Sequence, residues 1–344
     1  MPSGFMNHLR WIYHNMGTTN TATARAHPNI AFIKYWGNRD NQLNLPQNSS
    51  LSMNLDGLYA ETTVVWRGDL NTDVLTLNDH VESGSSLERV SAHLDTLRHR
   101  LAISERAEVR SHNNFPIGAG IASSAAAFAA LTVAAAAAAG VSLSERELTT
   151  FARIGSGSAS RSVPTGYVEW LAGSDHDSSY AHSIAAPDHW ALVDVIAVVS
   201  SAHKNVGSKL GHRSADTSDL QEARVAGAAD RLARCKQAIL DRDFTTFAEV
   251  VEHDSNLMHA IMMTSRPPLF YWQPTSLTVM EQVRQWRAEG LRVCYTLDAG
   301  PNVHCICVRE DANEVSSRLK TLSGLLDIRT AAVGGGAEVV QTNG

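Results

Sequence analysis

The chain has 344 residues, of which 44% are hydrophobic and 19% charged, and its formal net charge is −6. This size and composition predict a globular protein with a sizeable core in one or two domains. The negative charge and the lack of long basic runs exclude a broad nucleic-acid-binding surface, and no stretch is typical of a transmembrane span. The four cysteines show no CxxC spacing and are expected to be the reduced thiols of a cytoplasmic protein.

The first half of the chain predicts strands, a glycine-rich loop and helices. Residues 1–20 lack the basic start and apolar block of a signal peptide and are interpreted as an N-terminal extension. Strands are predicted at 21–36, 59–66, 73–77 and 107–112, and helices at 87–101 and 121–139. The second of these helices is alanine-rich, and alanine has the highest helix propensity. Ser144 and Glu147 form a capping-box pattern that predicts the start of a third helix.

The second half predicts a helix-rich centre between strands. A buried strand is predicted at 190–201, followed by helices at 218–240, 243–264 and 275–289. Strands at 292–298 and 303–308, a helix at 312–322 and a last strand at 326–333 complete the pattern. Early strands, a helical middle and late strands favour an α+β fold over a doubly wound sheet.

The stretch from Asn114 to Gly140 combines a glycine-rich loop with the start of the alanine-rich helix. A helix start presents unpaired backbone N–H groups and the positive end of the helix dipole to an anion. The stretch therefore predicts a phosphate-binding loop, with a tightly packed core helix as the alternative. It is not a Walker loop, because no Gly-Lys-Ser/Thr follows.

Three other polar segments leave a functional and a structural interpretation open. Residues 153–162 surround Arg161 with glycine and hydroxyl groups, which suits a charged ligand or a helix-capping loop. Asp298 precedes Ala-Gly-Pro, which suits catalysis or a plain turn. The loop 202–214 faces either a phosphate or solvent, and its basic and imidazole side chains are His203, Lys204, Lys209, His212 and Arg213.

Four motifs in this order resemble the mevalonate diphosphate decarboxylases of the GHMP kinase superfamily. Asn29–Gly37 (NIAFIKYWG) is similar to their N-terminal signature, and Asn113–Ser124 (NNFPIGAGIASS) to their phosphate loop. Gly155–Ser162 (GSGSASRS) resembles their substrate-carboxylate loop, and Thr296–Asn302 (TLDAGPN) their catalytic-aspartate turn. The resemblance implies the GHMP fold, with ATP and substrate between an N-terminal lobe at 21–200 and a C-terminal lobe at 201–344.

The reaction implied by the resemblance phosphorylates a tertiary 3-hydroxyl with ATP and then releases phosphate and carbon dioxide to leave an alkene. Asp298 matches the aspartate that orients or deprotonates the hydroxyl, a sensible role because a tertiary alcohol is a poor nucleophile. Lys34 matches the lysine beside this aspartate, where its charge keeps the carboxylate ionised. Arg161 matches the arginine that holds the substrate carboxylate, for which its planar fork is suited.

The resemblance also implies binding residues and cofactors. Substrate contacts fall on Tyr35, Asn38, Ser156 and Ser158 in addition to Arg161. ATP contacts fall on Asn114, Gly118, Gly120, Ser123 and Ser124. The expected cofactors are ATP and Mg²⁺, with the Ser124 hydroxyl available to the metal, and the expected assembly is a homodimer without nucleic acid or membrane partners.

The identity of the substrate rests mainly on Asn38. The diphosphate enzymes usually carry a lysine at this position, and loss of that cation removes a charge-assisted contact to the terminal phosphates. Ala26-His27-Pro28 also resembles the related decarboxylases that act on the monophosphate. The sequence therefore predicts mevalonate 5-phosphate as the substrate and isopentenyl phosphate as the product, with mevalonate 5-diphosphate as the close alternative.

Two other classes of protein remain as alternatives. One is a mevalonate 3-kinase that phosphorylates without decarboxylation, but such relatives lack the aspartate and lysine pair that Asp298 and Lys34 supply. The other is a non-catalytic ligand sensor on the same scaffold, which is expected to lack a phosphate-loop serine or the aspartate. Neither of these is missing here.

Overall fold

The computed structural model describes residues 20–115, 123–201 and 208–343. The predicted extension at 1–20, apart from Asn20, therefore lies outside the described residues, as do Gly118 and Gly120 of the phosphate loop.

The described residues form an α+β fold, as predicted. The strands are β1 Thr21–Ala26, β2 Asn29–Ile33, β3 Asn38–Asp40, β4 Leu45–Pro46, β5 Ser50–Asn54, β6 Ala60–Arg67, β7 Val74–Leu77, β8 His80–Glu82, β9 Arg106–Asn113, β10 Tyr167–Trp170, β11 Ala181–Ala185, β12 Leu192–Val198, β13 Val293–Thr296, β14 Val303–Val308, β15 Asp327–Ala332 and β16 Glu338–Asn343. The α-helices are α1 Ser85–Leu101, α2 Ser123–Ala138, α3 Glu145–Gly155, α4 Ser208–Ser214, α5 Gln221–Ala226, α6 Ala228–Asp241, α7 Phe244–Thr264, α8 Pro274–Ala288 and α9 Ala312–Leu319.

A six-stranded sheet in the order β16-β1-β6-β9-β7-β8 packs against α2. Along β6 buried and half-buried residues alternate, so one face of this sheet meets the helix. Helix α2 also contacts α1 and α3, and its alanines are buried on nearly every side. Because alanine is small, the helix can approach all these neighbours closely, which explains why its sequence lacks a polar face.

Two four-stranded sheets, β11-β10-β5-β2 and β13-β14-β12-β15, share a core with the long helix α7. Phe32 of β2 and Ile306 of β14 belong to one buried cluster with Phe247 of α7. The rings of Phe32 and Phe247 meet edge to face at 4.9 Å. Helix α7 therefore fixes the end of β2 relative to the β13–β14 hairpin.

The sequence predicted most helices within a few residues. The capping box is present, because Ser144 accepts a hydrogen bond from the Glu147 amide and the Glu147 carboxylate accepts one from the Ser144 amide. The helix predicted at 218–240 is two helices that meet at Gly227, where an added Cβ would lie 2.6 Å from Arg231 Nη1. Across this break Arg231 Nη2 donates to the carbonyl oxygen of Arg224 at 2.7 Å, and both arginine side chains are buried.

Several strands were not predicted. The strand predicted at 21–36 is broken at Pro28, which has no amide to donate to a sheet, and β2 ends at Ile33. The missed strands are β3, β4, β5, β8, β10, β11 and β16. Strand β5 is buried on both faces although it contains two serines. The last strand, β16, pairs with the first, β1. The lobe boundary predicted at residue 200 stays a prediction.

Within the described ranges, the structure contains no helix that is both long and apolar enough to cross a membrane. The four cysteines are free and buried.

Candidate active site

Lys34 and Asp298 meet although 264 positions separate them in the chain. Lys34 directly follows β2, and Asp298 lies in the turn between β13 and β14. The Lys34 Nζ donates a 2.7 Å hydrogen bond to Asp298 Oδ1, and the side chains are 1% and 26% exposed respectively. The lysine is therefore buried, while the carboxylate keeps access to a ligand.

The surroundings keep the Asp298 carboxyl ionised. Burial by itself would raise the pKa of Asp298, but the Lys34 ammonium, the His304 imidazole and the Arg161 guanidinium together hold that pKa below its ordinary value. Burial lowers the pKa of Lys34, and the carboxylates of Asp298 and Asp254 offset part of this effect. At neutral pH the site therefore contains a carboxylate that can accept a hydrogen bond from a hydroxyl group.

The backbone of Lys34 is fixed by residues from α5 and α7. The Lys34 amide donates to Asp254 Oδ2 at 2.6 Å, and its carbonyl oxygen accepts from Arg224 Nη2 at 2.8 Å and from Asn48 Nδ2 at 3.0 Å. The other carboxylate oxygen of Asp254 accepts from Arg231 Nε at 2.7 Å. These buried bonds leave the Lys34 side chain little freedom of direction.

Arg161 lies in a 3₁₀ helix, Gly157–Ser162, that follows α3. Its Nη1 donates to Ser50 Oγ at 2.6 Å and its Nε to Asn29 Oδ1 at 3.2 Å, and the residue is 3% exposed. Burial lowers the pKa of Arg161 to about 10, although the Asp298 carboxylate acts in the opposite direction. The guanidinium therefore stays charged at neutral pH and lies close enough to Asp298 to interact with it.

Tyr35 and Asn38 form the next part of the site. The Tyr35 hydroxyl donates to Asn38 Oδ1, and Asn38 Nδ2 donates to Asn41 Oδ1 at 3.2 Å. The Tyr35 ring stacks on His212 of α4, with ring centroids 4.0 Å apart. His212 lies in helix α4 rather than in the predicted loop and is buried, whereas Arg213 beside it is exposed to solvent. His203, Lys204 and the Lys209 side chain lie outside the described residues.

The predicted serines connect the start of α2 to the segment that carries Arg161. Ser124 Oγ and Ser156 Oγ are 3.2 Å apart. Ser158 takes part through its carbonyl oxygen, which accepts from Asn29 Nδ2 at 3.1 Å. The structure thus brings Lys34, Asp298, Arg161 and these serines together at the meeting point of the sheets and α7.

A cavity of about 170 Å³ adjoins this site on the side of the six-stranded sheet. Its wall is mainly apolar, and Arg89, Asn113, Ser123 and Ser124 are among its polar residues. Arg89 of α1 lies over the Phe128 ring at 4.5 Å and donates to the Gly155 carbonyl oxygen at 2.9 Å. An apolar pocket with a few polar groups beside a helix start is suited to a nucleotide.

Not every residue of this site was predicted from the sequence. Asn114, which was predicted to contact ATP, is bonded to the segment between β5 and β6. Its Oδ1 accepts from the Tyr59 amide and its Nδ2 donates to the Gly57 carbonyl oxygen, both at 2.8 Å. Asn113 lines the cavity instead. Asn113 and Asn29 lie inside the recognised motifs, whereas no local pattern marks Arg89 or Asp254.

The described residues contain no group of three His, Cys, Asp or Glu side chains that could hold a metal by themselves. Mg²⁺ is usually bound by phosphate oxygens and water with only one or two protein ligands. The Ser124 hydroxyl, at the helix start beside the cavity, fits that limited role.

Two family models together match most of the chain. The diphosphomevalonate decarboxylase-like N-terminal domain matches residues 26–181, and the mevalonate 5-diphosphate decarboxylase C-terminal domain matches residues 194–336. Diphosphomevalonate decarboxylase mvd1 of Aspergillus fumigatus is 40% identical over 329 residues, which are 89% of this chain and 81% of that protein.

Solved structures give the same result. Mevalonate diphosphate decarboxylase from Staphylococcus aureus is 36% identical with a TM-score of 0.89, covering 94% of this chain and 98% of that one. A complex of MDDEF with MVAPP, AMPPCP and magnesium is 34% identical with a TM-score of 0.88, and the match covers 94% of this chain and 99% of that one. The names of these relatives specify mevalonate diphosphate, the alternative to the monophosphate predicted from Asn38. The chain therefore belongs to the mevalonate diphosphate decarboxylase family, has the GHMP kinase fold and is an ATP-dependent decarboxylase.

Proposed function

We propose that this chain converts mevalonate 5-diphosphate and ATP to isopentenyl diphosphate, ADP, phosphate and carbon dioxide. The 3-hydroxyl oxygen attacks the γ-phosphorus of ATP as the bond to ADP breaks, and the hydroxyl proton passes to the Asp298 carboxylate late in this step. The C3–O bond to the new phosphate and the bond to the carboxylate carbon then break, and the electron pair of the latter forms the alkene. The observation that carries the proposal is the Lys34–Asp298 contact beside buried Arg161.

Asp298 orients the 3-hydroxyl by accepting its hydrogen bond. Because its pKa is held below the ordinary value, Asp298 is a weak base. Such a carboxylate suits a loose phosphoryl-transfer transition state, in which positioning and electrostatics contribute more than complete proton removal. The Lys34 ammonium offsets the negative charge that the phosphorylated substrate brings into the site.

Arg161 binds the substrate carboxylate. Its bonds to Ser50 and Asn29 fix the plane of the guanidinium before the substrate arrives. A fixed planar fork makes charge-assisted bonds to a carboxylate at low entropic cost. Tyr35, Asn38, Ser156 and Ser158 surround the remainder of the mevalonyl group.

The cavity beside α2 would hold ATP, and the Ser124 hydroxyl at its edge would be available to Mg²⁺. Magnesium neutralises phosphate charge and favours attack at the γ-phosphorus. Ser123 and the helix start provide hydrogen-bond donors for the phosphates. The predicted contacts from Gly118 and Gly120 fall outside the described residues.

Mevalonate 5-phosphate remains the second candidate because of Asn38. The Asn38 side chain is uncharged, so this position supplies no cation to a terminal phosphate. Its amide also bonds to the Tyr35 hydroxyl and to Asn41. A monophosphate requires fewer such contacts.

The experiment that tests the proposal incubates the enzyme, Mg²⁺ and ATP separately with mevalonate, its 5-phosphate and its 5-diphosphate. ADP and carbon dioxide are measured together. Equal release of both, fastest with the diphosphate, supports the proposal. Faster turnover of the 5-phosphate would favour the second candidate, and ADP release without carbon dioxide would indicate a kinase. The expected homodimer is tested on the same preparation by light scattering.

A further inference from the structure

A second buried pair of ionisable side chains, His304 and Asp194, lies next to the Lys34–Asp298 contact. His304 Nδ1 and Asp194 Oδ2 are 2.6 Å apart, and their side chains are 1% and 0% exposed. His304 Nε2 and Asp194 Oδ1 have no hydrogen-bond partner among the described residues. A carboxylate buried so completely is stabilised by a compensating cation, which a protonated His304 imidazole would supply.

Strand register directs this pair towards the catalytic turn. His304 of β14 is opposite Thr296 of β13, and Thr296 is two positions before Asp298. On its other side His304 is opposite Ile196 of β12, which is two positions after Asp194. Directly opposed residues in antiparallel strands project from the same face. On that face Thr296 Oγ1 donates to the Ala31 carbonyl oxygen of β2 at 3.3 Å. The face that carries His304 therefore packs towards β2, the strand that Lys34 directly follows.

The charged groups facing His304 come from three elements. Burial and the Lys34 ammonium, which follows β2, lower the pKa of His304. The carboxylates of Asp194 in β12 and Asp298 in the turn raise it, and the net shift of this pKa is upward. From α7, His259 also faces Asp298, but burial lowers its pKa to about 3, so it stays neutral and adds no cation. His304 in turn lowers the pKa of Asp298.

We propose that His304, held as an imidazolium by Asp194, is a positioning residue that supplies a further fixed cation beside Asp298 and Lys34. This role rests on the proposed function. The imidazolium does not touch the substrate. Its charge increases the positive potential that offsets the negative charge of the carboxylate and phosphoryl groups during phosphoryl transfer.

The test is the pH profile of kcat for the wild type and for His304→Gln, which keeps a hydrogen-bond donor for Asp194 but cannot titrate. In the wild type kcat falls as the imidazolium loses its proton on the alkaline side. In His304→Gln kcat at pH 7 is lower by about tenfold, the loss expected for one nearby charge, and this alkaline step is absent while both KM values stay close to wild type. His189→Gln, which removes another histidine, retains the step.

A second variant separates charge from packing. Replacing both partners with leucine, His304→Leu with Asp194→Leu, removes the ion pair without leaving an unpaired charge, so the protein should fold. It should also lack the alkaline step. An alkaline step unchanged in both variants, with an active wild type, would overturn the positioning role alone. No turnover by the wild type with either phosphorylated mevalonate would overturn the proposed function and this role together.

Discussion

The carboxylate of Asp254 accepts a 2.6 Å hydrogen bond from the backbone amide of Lys34, so α7 directly supports the residue whose ammonium contacts Asp298. Asp254 also pairs with Arg231 at 2.7 Å and is fully buried. One carboxylate thus joins the end of β2, α6 and α7. The direction of the Lys34 side chain depends on this buried network rather than on β2 alone.

Asp254→Asn is expected to lower the free energy of unfolding by about 3 kcal/mol, because removing one charge of a buried pair leaves the other uncompensated. Urea denaturation measures the change. The matched control is Asp219→Asn, which breaks the exposed pair with Arg266 and should change stability by less than about 0.5 kcal/mol. Equal small effects for both variants would contradict the structural role of Asp254.

Gly157→Ala is expected to impair use of the mevalonyl substrate. A Cβ at position 157 would lie 2.5 Å from Tyr35 Cε1, so either the Tyr35 ring or the helix that carries Arg161 must shift. We expect kcat/KM for the substrate to fall by about tenfold or more. Gly68→Ala is the control, since nothing lies within 4 Å of a Cβ there. Wild-type kinetics for Gly157→Ala would mean that close packing of Gly157 against Tyr35 is not required for use of the substrate.

Arg89→Gln tests the nucleotide cavity. Arg89 lines the cavity that contains Ser123 and Ser124, and loss of its charge should raise KM for ATP by about tenfold while KM for the mevalonyl substrate stays unchanged. Arg100→Gln, on the same helix, removes an arginine that pairs with Glu147 and should change neither value. If KM for ATP does not move, the nucleotide binds elsewhere.

Asn38→Lys tests the substrate preference. A lysine at this position adds a cation for the terminal phosphate, so the ratio of kcat/KM for the diphosphate to that for the monophosphate should rise by about tenfold. Gln42→Lys adds the same charge at a nearby exposed position and should leave the ratio unchanged. An unchanged ratio in Asn38→Lys would show that position 38 does not contact the phosphate end.

The sequence predicted the parts of the site that lie within local motifs. Lys34, Arg161 and Asp298 were identified from short patterns, and the structure brings them together. The preference for the monophosphate, in contrast, depended on one substitution, Asn38, and the relatives do not support it. A single missing cation does not determine a phosphate site that other residues can also serve.

The supporting contacts could not be predicted in this way. Asp254 is 220 positions from Lys34, and His304 is 110 positions from Asp194. Such pairs depend on which strands and helices become neighbours, information that hydrophobic periodicity does not contain. Strand β5 was missed for a different reason: its sequence, SLSMN, alternates as a strand should, but serine and asparagine are also typical of turns.

The most direct test of the central claim, that Asp298 and Lys34 carry out the chemistry, is single turnover by Asp298→Asn with mevalonate 5-diphosphate, ATP and Mg²⁺. The amide keeps the size of the side chain but removes the charge that Lys34 contacts. We expect release of phosphate and carbon dioxide to slow by about 10³-fold, while the affinities for ATP and substrate remain close to those of the wild type. Near-normal release of phosphate and carbon dioxide would contradict the account.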